Sequence, residues 1–184
     1  VSGLTLSNPT TIYVYTYFDL VNPKLPGSEV RPIFYSPGWA RVYSPDGTIA
    51  EEYKEPLSRS MFIVAYGDYI SGSSGYELAI SDFEYIYESV PRCYIKIVSG
   101  GSVIKEFNVT LPANKVYGIY LAPPYPSSTT TILIMYNMSS YDYRFAKFNL
   151  NDGSITIGSK VSDINMDSRF VRIGGKYYYV FWYS

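Results

Sequence analysis

Apolar and polar residues alternate with a period of two along most of this chain. That period is typical of β-strands, whose successive side chains point to opposite faces. The strands predicted from it span residues 4–6, 11–18, 30–35, 39–43, 48–53, 61–66, 94–98, 103–109, 115–121, 131–137, 143–150, 154–157, 169–173 and 177–183. The pattern therefore predicts a protein built mainly from short strands.

Turn-forming residues separate these segments at intervals of 8 to 15 residues. Asp-Gly pairs in "SPDGT" (44–48) and "NDGS" (151–154) are hairpin signals. Glycine pairs in "SGGS" (99–102) and "GGK" (174–176) predict two further hairpins. Short strands joined by frequent turns favour an antiparallel sheet protein.

One segment, residues 76–90 ("YELAISDFEYIYESV"), fits two structures. It could form a helix, with Leu78, Phe83 and Ile86 near one stripe, or two strands broken at Ser81 and Asp82. The β-favouring run of Tyr and Ile at 85–87 inclines us to the strands.

The predicted fold class is all-β, an antiparallel sandwich of the jelly-roll or immunoglobulin-like kind. Residues 1–9 are predicted to be an N-terminal extension strand, and residues 10–184 a single domain. No repeat of constant period and no shift in composition indicates a second domain.

Composition narrows the function classes. The formal net charge is −1 and charged residues make up 17% of the 184 residues, below the usual ~25%. Basic residues are scattered, which argues against nucleic acid as a partner. A net charge near zero favours self-association. The 22 Tyr residues suit half-buried surfaces and interfaces, and the composition favours an extracellular protein.

Nucleophilic catalysis lacks its usual groups, because the chain has no His. Cys93 is the single cysteine, so no internal disulfide can form, and its strand context predicts a small buried hydrophobe. Ser102 and Lys105 match S-x-x-K by count. Residues three apart in a strand point to opposite faces, so the match is taken as accidental.

Acidic residues give two weaker chemical hypotheses. Carboxylates cluster in two places that could supply a glycosidase pair: Glu51, Glu52 and Glu55, and Asp82, Glu84 and Glu88. "DINMD" places Asp163, Asn165 and Asp167 at the spacing that opens a calcium loop, but Ser168 and Gly174 stand where that loop needs Gly and Glu. We predict no catalytic, cofactor-binding or metal-binding residue, and no enzymatic activity.

Two N-glycosylation sequons occur, at Asn108 ("NVT") and Asn137 ("NMS"). Between one and two would arise by chance in a sequence with this content of Asn, Ser and Thr, so they are no evidence of secretion. If the protein is secreted, these two residues are the candidate glycan acceptors. The sequence begins at Val1, which favours a signal peptide that has been removed. No apolar run approaches the ~20 residues needed to span a bilayer.

The segment "TTIYVYTYF" (10–18) raises the question of assembly, because neither of its faces carries a charge. One explanation is a central strand of a sandwich, with its Tyr face covered by a loop or left as a solvated Tyr surface. Another is intermolecular pairing: "VSGLTLSNP" (1–9) alternates and ends at Asn8-Pro9, so it could add as a strand to the sheet edge of another copy. The candidate donor residues are Val1, Leu4 and Leu6, and the candidate acceptor residues are Ile12, Val14, Tyr179 and Phe181.

In these features the chain resembles the secreted filament subunits of archaea, the threads and bundling pili. The resemblance is one of overall type: a β-chain under 200 residues, rich in Tyr, Ser and Thr, without His and nearly without Cys. It implies polymerisation by donor-strand complementation, N-glycosylation, and an extracellular filament for adhesion or biofilm. The long apolar N-terminal helix of type IV-like pilins is missing.

Two other functions stay open. A viral jelly-roll capsid or turret protein would also be β-rich and self-associating, but it would form closed shells or rings. A carbohydrate-binding β-sandwich would use aromatic side chains as sugar platforms, with Trp39 and Trp182 as candidates.

Overall fold

A computed structural model of the 184-residue chain gives the fold. It describes residues 17–19, 33–36, 38–44, 46–54, 61–73, 75–83, 93–109, 118–124, 128–137, 142–161, 169–173 and 176–180. The predicted boundary between residues 1–9 and 10–184 lies outside these ranges.

Every described element is a β-strand, rich in β-branched and aromatic residues that pack well on a pleated surface. The strands are β1 (Tyr17–Asp19), β2 (Ile33–Ser36), β3 (Trp39–Tyr43), β4 (Ile49–Lys54), β5 (Met61–Gly67), β6 (Glu77–Phe83), β7 (Cys93–Ser99), β8 (Ser102–Val109), β9 (Gly118–Leu121), β10 (Thr130–Asn137), β11 (Asp142–Asn149), β12 (Ile155–Val161), β13 (Arg169–Ile173) and β14 (Lys176–Val180). The predicted all-β, antiparallel class is confirmed.

Each predicted strand that reaches the described residues overlaps an observed strand, and the predicted strand at 4–6 lies outside them. The strands predicted at 39–43 and 169–173 match β3 and β13 residue for residue. In the ambiguous segment, residues 77–83 form a strand, β6, and not a helix. The predicted break at Ser81 and Asp82 was wrong, because both residues pair with β5 and β7 inside one continuous strand. Residues 84–90, which include the β-favouring run at 85–87, are outside the described ranges. All four predicted hairpins join consecutive paired strands.

The strands pair only with their neighbours in sequence. Three four-stranded antiparallel meanders result: the first sheet (β1–β4), the second sheet (β5–β8) and the third sheet (β9–β12). The β13–β14 hairpin forms a fourth, two-stranded sheet. Within the described residues, no strand crosses from one sheet into another.

The second sheet is buried on both faces, because the other two sheets pack against it. One face contributes Val64, Leu78, Ile80 and Val98 to a core shared with Ile33, Ala40, Val42 and Tyr53 of the first sheet. The other face contributes Ala79, Cys93, Ile95 and Ile97 to a core shared with Ile119, Leu121, Leu133 and Phe148 of the third sheet. Cys93 is therefore a buried core residue, as predicted.

The sheets approach each other most closely near their first strands. Strand β5 contacts β2 on one side and β9 on the other, and β6 also contacts β9. A hydrogen bond reinforces the second contact, since the Tyr69 hydroxyl donates to the Leu121 carbonyl at 3.0 Å. The three sheets are therefore held together near strands β2, β5 and β9.

A structural repeat escaped the sequence analysis. In each four-stranded sheet, the turn between the third and fourth strands contains a glycine of positive φ, and these glycines recur every 53 residues at Gly47, Gly100 and Gly153. The spacing of the other strands varies from sheet to sheet, in agreement with the absence of a constant period in the sequence. The repeat is hidden because the loops between the earlier strands differ in length and sequence.

The turns of the second and third sheets each dock on the fourth strand of the preceding sheet. The Glu51 carboxylate on β4 accepts hydrogen bonds from the amides of Gly100 (3.1 Å) and Gly101 (2.6 Å) in the next turn. On β8, the Lys105 ammonium donates to the Leu150 carbonyl beside the following turn. The two contacts use charges of opposite sign for the same task, because backbone N–H and C=O groups attract opposite charges.

Replacing Gly153 with Ala should destabilise the protein more than replacing Gly72 with Ala. Both glycines have positive φ, which costs roughly 1–2 kcal/mol for an L-residue. A Cβ at Gly153 would also lie 2.6 Å from Phe107 Cδ1, whereas a Cβ at Gly72 would meet open space. We expect G153A to cost about 1–3 kcal/mol more in the free energy of unfolding, measured with urea. Equal losses would contradict the proposed tight docking of this turn on β8.

Replacing Glu51 with Ala should weaken the contact between the first and second sheets. The change leaves two turn amides without their acceptor, which costs about 1–3 kcal/mol. Glu106→Ala, which removes an exposed carboxylate on β8, should stay within about 0.5 kcal/mol of the parent. Chemical denaturation of both variants measures the difference, and a loss in E51A no larger than in E106A would show that the contact is dispensable.

Candidate functional site

Most residues predicted to mediate assembly lie outside the described residues. These are Val1, Leu4, Leu6, Ile12, Val14 and Phe181. Tyr179 lies on β14, paired with Phe170 of β13. The structure therefore describes one predicted acceptor position and the sheet that contains it.

The β13–β14 hairpin has two strands, whereas the other three sheets have four each. Its five residue pairs run from Arg169–Val180 to Ile173–Lys176 without a register shift. A two-stranded hairpin is at best marginally stable in water and gains stability from added strands or packing. Within the described part of the chain, both of its edges lack a paired strand.

The outermost strands of the three larger sheets differ from this hairpin. They carry the exposed large apolar side chains of the described region: Ile49 on β4, Val103 and Ile104 on β8, and Ile157 on β12. Each of these strands also has a register shift against its neighbour and a lysine, at Lys54, Lys105 or Lys160. Irregular pairing and lysines hinder edge-to-edge association.

The two sequons fall on strands. Asn108 is exposed on β8, and Asn137 is the last residue of β10. The side chain of Asn108 is thus accessible for modification. A glycan there would stand on an outermost strand and would further obstruct that edge.

Ser102 and Lys105 do not form a reactive pair. Ser102 begins β8, opposite Ser99, while the Lys105 ammonium donates to the Leu150 carbonyl and lies 5.0 Å from the Phe107 ring centroid. Lys105 therefore has a structural contact between sheets. Of the remaining acidic candidates, Asp82 lies on β6, and Glu55, Glu84, Glu88 and the Asp163–Asp167 segment are outside the described residues.

Two carboxylates are buried in roles that the sequence analysis missed. Glu51 holds the turn of the second sheet, as described above. Glu77 is 1% exposed and accepts hydrogen bonds from the amides of Tyr69 (2.8 Å) and Ile70 (3.2 Å). It thereby fixes the loop that joins β5 to β6. Among the described residues, no group of three or more potential metal ligands occurs.

The outer face of the first sheet combines aromatic and charged side chains. Because Ala40 and Val42 of β3 face the second sheet, the alternate residues Trp39, Arg41 and Tyr43 lie on the opposite face. Glu52 of β4 pairs with Arg41, and Lys54 pairs with Trp39. We call these five residues the outer-face cluster.

Ionic and cation–π contacts order the cluster. Arg41 Nε lies 2.5 Å from Glu52 Oε1, and Lys54 Nζ lies 3.2 Å from Glu52 Oε2. The Arg41 guanidinium also lies 5.4 Å from the centroid of the Trp39 ring. The hydrogen bond from Arg41 is the largest cause that lowers the pKa of Glu52, and Lys54 adds to it. The cluster therefore holds two cations and one carboxylate near neutral pH.

Comparison with protein-family models, with curated proteins and with solved structures found no match for this chain. In the described part of the chain, no helix is long and apolar enough to cross a membrane.

The pKa of Glu52 should rise when Arg41 is replaced with Gln. In the folded protein this pKa is lowered, so the stabilising contribution of the ion pair is complete above the unfolded-state pKa and is lost as the pH falls through the folded-state pKa. Carboxyl-carbon NMR titration of Glu52 in the parent and in R41Q measures the change. An unchanged pKa would mean that Arg41 does not hold Glu52 in solution.

Proposed function

We propose that this protein is a non-enzymatic structural subunit that polymerises by strand addition. The observation that carries the proposal is the β13–β14 hairpin, which among the described residues is a sheet of two strands, whereas the other described sheets have four. An added strand would complete main-chain hydrogen bonds along an edge of this sheet. Tyr179, an acceptor residue predicted from the sequence, lies on β14.

The proposed donor is the segment of residues 1–9 from a neighbouring copy. Leu4 and Leu6 would point to one side of an added strand, and Asn8-Pro9 would end the pairing. The donor and acceptor surfaces differ, so the contact is heterologous and repeats into an open filament unless the rotation closes a ring. The formal net charge of −1 adds little repulsion between copies.

The edge properties favour this acceptor over the other sheets. The outermost strands β4, β8 and β12 combine lysines with irregular pairing, which hinders the docking of a further strand. The β13–β14 hairpin pairs without a shift. Strand addition at the hairpin thus meets fewer obstacles than at the edges formed by β4, β8 and β12.

The stacked meanders suggest an architecture for the subunit. Four-stranded meanders that pack face to face are the building units of β-propellers. We infer that the three larger sheets are arranged like successive propeller blades, which differs from the two-sheet jelly-roll or immunoglobulin-like sandwich expected from the sequence. The recurring turn glycines support this arrangement, because each repeat would be one blade.

We further propose an extracellular location, with a role in adhesion or biofilm formation. This part of the proposal comes from the tyrosine-rich, charge-poor composition and from the resemblance to archaeal thread and bundling-pilus subunits. Asn108 and Asn137 are the proposed glycan acceptors, and Asn108 is exposed.

Removing residues 1–8 should abolish polymerisation, as seen by negative-stain electron microscopy. Two full-length variants distinguish the loss of strand pairing from the effect of shortening the chain. L4Q/L6Q replaces both apolar residues on one side of the proposed donor strand, whereas T5Q changes a residue that would point to the other side. We expect filaments from the parent and from T5Q, and none from the truncation or from L4Q/L6Q.

Monodisperse particles from the parent chain would overturn the filament proposal, and closed shells or rings would favour a capsid-like role. Filaments that persist in the truncation would overturn strand donation by residues 1–8. A synthetic peptide with the sequence of residues 1–9 should also inhibit polymerisation of the parent, because it would occupy the acceptor edge.

A further inference from the structure

We infer that the outer-face cluster of the first sheet binds acidic saccharides. The cluster consists of Trp39, Arg41 and Tyr43 on β3 and of Glu52 and Lys54 on β4. It lies on a different sheet from the proposed strand acceptor, and this inference does not depend on polymerisation.

Five side chains share this face because of strand pairing. Arg41 is paired with Glu52 across the sheet, and Trp39 is paired with Lys54 in the next row. Tyr43 follows Arg41 by two positions and therefore lies on the same face of β3. Trp39 and Tyr43 are half-buried, so their rings keep exposed surface while the sheet holds them in place.

The cluster contains more positive charge than its internal contacts neutralise. Arg41 and Lys54 both bind Glu52, so two cations share one carboxylate and the cluster keeps a formal charge of +1. The Lys54 side chain is 65% exposed. A guanidinium has five N–H donors, and Glu52 engages the one at Nε. A second anion could therefore bind beside Glu52.

Stability alone gives a poor explanation for this cluster. Exposed ion pairs contribute about 0–1 kcal/mol, because solvent screens them and because ordering long side chains costs entropy. An aromatic ring beside a fixed guanidinium is instead well suited to recognition. The ring can stack on the apolar face of a sugar, and the guanidinium can bind a carboxylate through two parallel hydrogen bonds.

The charge and the aromatic rings together select the ligand class. A uronic acid offers a pyranose face for Trp39 and a carboxylate for Arg41 and Lys54. A neutral sugar would leave the excess positive charge unused. Nucleic acid would need a larger basic surface than these two residues provide, and the net charge of the whole chain is −1.

Isothermal titration calorimetry with oligogalacturonate, an unbranched oligomer of uronic acid, tests the inference on the full chain. A neutral gluco-oligosaccharide of equal length is the comparison ligand. We expect binding to oligogalacturonate and at least tenfold weaker binding to the neutral oligomer. Because charge contributes to recognition, raising the salt concentration should weaken binding of the acidic oligomer.

Three variants assign the binding to the cluster. W39A removes the ring and R41Q/K54Q removes both cations, while K147Q removes an exposed lysine from the third sheet as a control. W39A and R41Q/K54Q should each weaken binding at least tenfold, and K147Q should leave it unchanged. Near-UV circular dichroism verifies the fold of each variant, and W39F provides an aromatic replacement if W39A unfolds.

Three results would overturn the inference: no binding of oligogalacturonate, equal binding of the neutral oligomer, or losses in K147Q as large as those in R41Q/K54Q. Because the filament assay and this titration use different variants, failure of one leaves the other interpretable.

Discussion

The burial of the second sheet on both faces is the constraint on which the rest of this structure depends. Leu78 and Ile80 of β6 face the first sheet, while Ala79 of the same strand faces the third. A strand of this kind cannot carry charge on either side unless the charge is paired. Its residues 78–80 are apolar, and the buried carboxylate of Glu77 accepts hydrogen bonds from two backbone amides. The first and third sheets are held in position because each covers one of these two faces.

Contacts at the turns between the third and fourth strands fix the distance between neighbouring sheets. Glu51 binds two turn amides of the second sheet, and Lys105 binds a carbonyl beside the turn of the third. Gly153 also lies against Phe107, where no larger residue fits without a shift. Apolar packing near the first strands and polar contacts near the turns therefore fix each pair of sheets at two separated places.

The sequence predicted local structure well and long-range structure poorly. Alternation located strands such as β3 and β13, and Asp-Gly pairs located the turns of the first and third sheets, because both signals act between residues close in the chain. The stacking of three sheets was not predictable, since the apolar residues of a strand such as β6 do not reveal what covers its second face. The 53-residue repeat was hidden because turn geometry preserves a glycine while the adjacent residues differ.

The candidate functional surfaces, too, were predictable only in their local features. The aromatic and charged residues of the outer-face cluster were visible in the sequence, and Trp39 was already a candidate sugar platform. Their common face became evident only when the pairing of β3 with β4 was known. The buried carboxylate of Glu77 gave no sequence signal, because its partners are backbone amides rather than side chains.

Hydrogen–deuterium exchange across residues 169–180 is the most direct measurement of the proposed assembly. The chain lacking residues 1–8 would be compared with and without a synthetic peptide of residues 1–9. If the hairpin accepts a strand, the peptide should slow exchange of the edge amides of β13 or β14 while leaving β6 and β7 unchanged. Unaltered exchange in the hairpin at saturating peptide would contradict strand addition at this sheet.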